Sequence, residues 1–167
     1  MDTQKMVRLS LLVSLATVLR ILENQIPIPR PPWLKLGLAN VITLVALMMY
    51  GTRAAVTVAC LRALLAGIFG TLPMLAFSFS AALTSSTAMG VLHRISGQRL
   101  SIIGLSVSGA VVHNLTQLLV AYFLLSLNLL SRTSILTLAA FLVLAAVVAG
   151  FVTGLIARYL VRHLVPE

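Results

Sequence analysis

The sequence predicts an all-α membrane protein, a polytopic bundle of about six transmembrane helices forming a single transmembrane domain over residues 1–167. Three observations carry this. Of 167 residues, 60% are hydrophobic and only 9% charged, with a mean hydropathy of +1.09. A soluble domain carries about 25% charged residues, because its surface faces water. The apolar residues fall into six segments, most of them near the ~20 residues that cross a bilayer. The cations gather at the ends of those segments, where a positive-inside bias puts them.

The first segment, near residues 6–22, has Lys5 and Arg8 ahead of an apolar run. No small-x-small cleavage site follows, so it reads as a retained span rather than a signal peptide. Pro27, Pro29, Pro31 and Pro32 then stiffen the chain toward an extended form, and Trp33 suits the membrane interface. The stretch 23–36 reads either as an interfacial loop or as a semi-rigid lid over an outward-facing cavity. The second segment, 37–50, is short and ends in a tight turn at Tyr50-Gly51-Thr52-Arg53. The third runs over 53–72 and is broken by 70–73. The fourth, 75–95, stops before Gly97 and Arg99. The fifth covers 102–126, a loop takes 128–133, and the sixth runs over 135–161.

The net charge is +9, yet nucleic acid is not an expected partner, because the cations form no stripe with interleaved aromatics. With both termini inside, Lys5, Arg8, Arg53, Arg94, Arg99, Arg158 and Arg162 lie on the inner side. Only Arg30, Lys35 and Arg132 lie outside, and Arg20 and Arg62 stay within spans. This imbalance predicts cytoplasmic termini and residence in the cell (inner, cytoplasmic) membrane. Cys60, the one cysteine, belongs to no disulfide or metal pattern and reads as a small buried hydrophobe.

Lipid tails give helices no hydrophobic reason to associate, so small residues that let backbones approach take that part. Ala146, Gly150 and Gly154 form such a stripe in the sixth segment. The fourth is rich in small and hydroxyl residues, Ser78, Ser80, Thr84, Ser85, Ser86 and Thr87 among them. It reads as an interior helix, used either for packing or for lining a cavity. In the first segment, Ser10 and Ser14 are placed to pack internally or to receive a partner helix.

An ionisable residue inside a span needs a partner or a polar cavity. Arg62 lies about nine residues into the third segment, roughly 13 Å along it by helical rise. Glu23 is the one carboxylate near a span, since Asp2 and Glu167 are terminal. Arg62 is therefore left with backbone carbonyls, an Asn or Gln, or an anionic ligand. The fifth segment carries His113, Asn114 and Gln117, with His113 and Gln117 one turn apart on a face shared with Ser106 and Ala110. These read either as satisfied structural groups or as a substrate site, which Asn40 is placed to join.

Catalytic sets are missing: no paired carboxylates, no Gly-rich phosphate loop with Lys, no Ser/His/Asp arrangement. A prenyl diphosphate synthase would need clustered aspartates to hold magnesium, and the chain has one, Asp2. A proton-coupled carrier would show an intramembrane carboxylate, and only Glu23 approaches one. The chain is not expected to be an enzyme, and no cofactor or metal is expected.

Three strings carry a family resemblance. They are Lys35-Leu36-Gly37-Leu38-Ala39-Asn40-Val41-Ile42-Thr43-Leu44, then Leu61-Arg62 with Gly70, then Gly109-Ala110-Val111-Val112-His113-Asn114-Leu115-Thr116-Gln117-Leu118. Over nearly its whole length the chain resembles the Gx transporter family, also labelled heptaprenyl diphosphate synthase component I. That family is similar to the substrate-binding S components of energy-coupling factor (ECF) transporters. The resemblance implies six helices, both termini inside, and a binding cavity facing outward. It also implies a membrane T component and two cytoplasmic ATPases as partners. In S components a small-residue motif in the first helix, usually alanines, docks the T component, and Ser10 and Ser14 stand in that place here.

The expected function is thus an S component that captures a small vitamin- or isoprenoid-like molecule. Asn40, Arg62, His113, Asn114 and Gln117 would contact the cargo, and partner subunits would hydrolyse ATP. Two alternatives are a non-catalytic membrane subunit of prenyl (heptaprenyl) diphosphate synthesis and a membrane scaffold of a redox assembly.

Overall fold

The computed structural model describes residues 3–25, 37–68, 70–97, 99–124 and 132–164. Among them the chain forms six α-helices and no strand: α1 (Thr3–Gln25), α2 (Leu38–Tyr50), α3 (Thr52–Ile68), α4 (Leu72–Ser96), α5 (Ile102–Leu124) and α6 (Arg132–Leu164). The proline-rich segment, Trp33 and the lid reading lie outside the described residues.

Helix ends follow local chemistry. A single residue turns α2 into α3: Gly51 has φ 81°, a region glycine enters without a Cβ clash. Its N–H donates to the Leu47 carbonyl at 3.0 Å. Pro73 lies in the first turn of α4, where its missing N–H costs no helical hydrogen bond. The break expected over 70–73 is accordingly narrower, with α4 under way at Leu72. In turn α3 stops at Ile68, and α6 starts at Arg132, inside the loop expected over 128–133.

Neighbouring helices run antiparallel. Gly67 packs by Leu75 and Gly90 by Thr52, which pairs α3 with α4 in opposite directions. Gly150 faces Val107 and Gly154 faces Ile103, so the small stripe of α6 closes α6 onto α5. The centre is α2, which touches α1, α3, α5 and α6. Its residues from Ala39 to Leu47 are all buried, the mark of a helix with no solvent face.

Three helices are long and apolar enough to cross a membrane: Leu72–Ser96, Ile102–Leu124 and the Ile135–Leu164 part of α6. By contrast α2, with 13 residues, rises only ~20 Å against a hydrocarbon core of about 30 Å. The flanks expose Leu11, Val18, Leu119, Phe123, Phe141, Leu144, Val148 and Phe151. Apolar exposure on that scale belongs in lipid, so this is a membrane protein. Lys5, Arg8, Arg53, Arg94, Arg99, Arg158 and Arg162 all fall toward the end of the bundle that holds the termini.

Candidate ligand-binding site

At the opposite end, where α1, α3 and α5 finish and α2, α4 and α6 begin, polar side chains turn inward. The last turns of α1 place Arg20 and Glu23 three residues apart, hence on one helical face. Arg20 Nη1 meets Glu23 Oε2 at 3.3 Å, and both side chains are buried, Glu23 completely. The other carboxylate oxygen, Oε1, accepts the Gly37 N–H at 2.7 Å. Gly37 has φ 85°, a left-handed conformation that L side chains rarely adopt. Three residues further on, Asn40 Oδ1 accepts from Arg62 Nη2 at 3.3 Å. Among the protein groups open to Arg62, the amide of Asn40 is the partner found. Arg62 lies six residues from the end of α3, ~9 Å by helical rise.

His113, Asn114 and Gln117 are all buried on α5. Ser85 Oγ donates to the Ala81 carbonyl at 2.6 Å and lies 3.4 Å from His113 Nδ1. With that hydroxyl proton committed, Nδ1 is the His113 N–H donor, a tautomer assigned from the bonding pattern. Nε2 then accepts from Gln117 Nε2 at 3.2 Å. Gln117 Oε1 is left buried without a hydrogen-bond partner among the described residues. Asn114 points elsewhere: its Nδ2 donates to the Leu142 carbonyl of α6 at 3.1 Å.

Arg20, Gly37, Asn40, Arg62, Ala63, Ser78 and His113 line a cavity of about 10 Å³, room for about one water. Of the residues expected from sequence, Asn40, Arg62 and His113 line it together. Gln117 reaches it only through His113, and Asn114 faces away. Ser10 and Ser14 are exposed on the outer flank of α1. Most α4 hydroxyls donate to carbonyls of their own helix, among them Ser80 to Ala76, Thr84 to Ser80 and Ser86 to Ala82. Only Ser78 and Ser85 join the polar cluster.

Sequence reasoning did not assign Arg20, Glu23 or Gly37 to the site, and it offered Ser78 and Ser85 only within a group of α4 hydroxyls that either pack or line a cavity. The i, i+3 spacing of opposite charges at the end of the first segment was the available signal for Arg20 and Glu23. A second cavity, of about 470 Å³, is an apolar groove on the flank of α6, lined by Leu38, Phe141, Leu144, Ala145, Val148, Ala149, Val152 and Thr153.

Fold and site together define a helical membrane protein with a buried, charged polar cavity at the end opposite its termini. The chain belongs to the family named heptaprenyl diphosphate synthase component I, whose model matches residues 12–160. No curated protein and no solved structure gives a significant match to it.

Proposed function

We propose that this chain is the substrate-binding S component of an ECF-type uptake transporter for a small vitamin- or isoprenoid-like molecule. The observation that supports it most is the cavity in which Arg62, Asn40 and His113, from three different helices, converge at one depth. Charged groups buried in a membrane bundle are costly and mark ligand pathways. In this reading all six helices lie in the membrane, with both termini cytoplasmic and the cavity opening outward. The short α2, buried from Ala39 to Leu47, is shielded from lipid along that stretch by its neighbours. Asn40, Arg62 and His113 contact the cargo, Gln117 holds the His113 ring, and Asn114 ties α5 to α6.

A cavity of about 10 Å³ is far below the several hundred Å³ of a small-molecule pocket. Cargo entry therefore requires the helices around it to part. The exposed pair Ser10 and Ser14 would dock a membrane T component, and two cytoplasmic ATPases would drive release. A second reading has one specific support, the family name: the chain would be a non-catalytic membrane partner of a prenyl diphosphate synthase.

Isolation of the chain from its native membrane in mild detergent, with partners identified by mass spectrometry, separates the two. Co-isolation of a membrane T component and two ATPases is the expected result. Restored synthase activity on mixing with a soluble prenyl-transferring subunit would overturn the transport reading.

A further inference from the structure

Among the described residues the formal charges around the cavity do not cancel. Arg20 and Arg62 bring two positive charges and Glu23 one negative, and all three side chains are buried. Glu23 is committed to Arg20 at 3.3 Å and to the Gly37 N–H at 2.7 Å. Arg62 makes its hydrogen bond to a neutral amide, Asn40 Oδ1, and no ion pair among the described residues. No other carboxylate side chain is within reach by sequence: the remaining acids are Asp2 and Glu167, and 26–36 contains none. Thr3, the first described residue, already lies ~25 Å along α1 from Arg20. A buried guanidinium without an anion is strongly disfavoured, yet this one lines the cavity rather than turning to the helix ends.

Resting on the capture reading above, we infer that the cargo is an anion, recognised through one carboxylate or phosphate group that binds Arg62 beside Asn40 and the Arg20–Glu23 pair. A guanidinium offers a planar fork of donors that matches such oxyanions two at a time. Among the described residues the balance at the cavity is positive, which favours a negatively charged group at the site. Glu23, fixed beside Arg20, disfavours a second by repulsion. A neutral ligand of equal shape leaves Arg62 uncompensated and binds less tightly. The anionic group can arrive on a free solute or on a lipid phosphate, with the same chemistry at the site.

The test uses the purified full chain in phosphatidylcholine nanodiscs, with thermal unfolding followed at constant ionic strength. Acetate, hexanoate and inorganic phosphate are titrated against acetamide and hexanamide. At least one anion should raise Tm by several degrees while its neutral counterpart does not. Arg62→Gln should lose that response, with affinity for the effective anion falling at least about tenfold, the usual weight of a charge-assisted hydrogen bond. Arg62→Lys should retain a weakened response. Without ligand, Arg62→Gln should melt no lower than wild type, because it removes an uncompensated buried charge. Repeating the titration with phosphatidylglycerol in the disc distinguishes the sources: a raised baseline that abolishes the response to soluble anions assigns the site to a lipid phosphate.

Equal stabilisation by hexanoate and hexanamide, lost in His113→Ala, would overturn the charge assignment and leave the capture reading standing. An anion response undiminished in Arg62→Gln, or a large loss of stability in that variant without ligand, would also overturn the assignment. No response to any anion in either lipid would do the same.

Discussion

Replacing Glu23 with Gln isolates the one carboxylate that the buried cluster contains. The side chain is fully buried, with Arg20 at 3.3 Å on one oxygen and the Gly37 N–H at 2.7 Å on the other. Glutamine preserves the volume and keeps a carbonyl oxygen for Gly37, so the change is mainly one of charge. Arg20 then loses the carboxylate it pairs with, while remaining buried beside Arg62. Removing one member of a buried ion pair costs about 3–5 kcal/mol, most of it the stranded charge. For a chain of this length each kcal/mol moves Tm by roughly 2–4 °C, so Glu23→Gln should melt about 6–20 °C below wild type. Adding Arg20→Gln removes the stranded cation and should return at least half of that loss, a coupling expected only between interacting groups. Thermal unfolding in mild detergent, followed by circular dichroism, reads all three proteins. A single variant within about 1 °C of wild type, or a double variant no better than the single, would refute the claim that Glu23 neutralises Arg20 in a dry environment.

Other perturbations have equally definite outcomes. A Cβ at Gly150 would lie 2.7 Å from the Val107 Cα, and one at Gly154 2.8 Å from the Ile103 Cα. Since those neighbours are backbone, Gly150→Val and Gly154→Val should each cost about 1–3 kcal/mol through overpacking. Gly70→Ala, whose nearest contact would be 3.7 Å, should melt within about 1 °C of wild type. Asn114→Leu should lose on the order of 0.6 kcal/mol, the average for an interhelical hydrogen bond in a membrane, while ligand retention survives because the amide faces Leu142. Ser10→Leu with Ser14→Leu should leave Tm unchanged, both side chains being exposed, yet abolish co-isolation of a T component. Survival of that complex would remove Ser10 and Ser14 from the docking face.

Much of the helical layout was legible because it rests on local rules. Apolar runs, the Gly51 turn and the cations at segment ends locate the helices without tertiary information. The four-residue spacing of Ala146, Gly150 and Gly154 identified a close-packing stripe, and Gly150 and Gly154 indeed meet α5 backbone. Segment ends were less legible: Pro73 reads as a breaker, whereas in a first turn it is compatible with helix. The start of α3 was legible, and Arg62 lies ten residues from it; the end of α3 was set four residues too late. Within the site, Arg62 and Asn40 were singled out separately, but their pairing depends on how α2 and α3 pack. The Arg20–Glu23 pair is local and its spacing was visible; its burial is not local, because it needs α2 laid against α1. Spacing put His113 and Gln117 on one face and they do meet, whereas the partner of Asn114 depends on how α6 packs. Next to His113 in sequence, Asn114 bonds to α6, while Gln117, one turn away, bonds to the His113 ring itself.

The central claim is that this bundle captures a small molecule with residues at its distal end. Its most direct test is mass spectrometry of whatever the protein retains when purified from its native membrane. Wild type should release one small molecule in near-stoichiometric amount, and the same preparation of Arg62→Ala with His113→Ala should release little or none. Equal recovery of the molecule from both proteins, or none from a folded wild type, would contradict it.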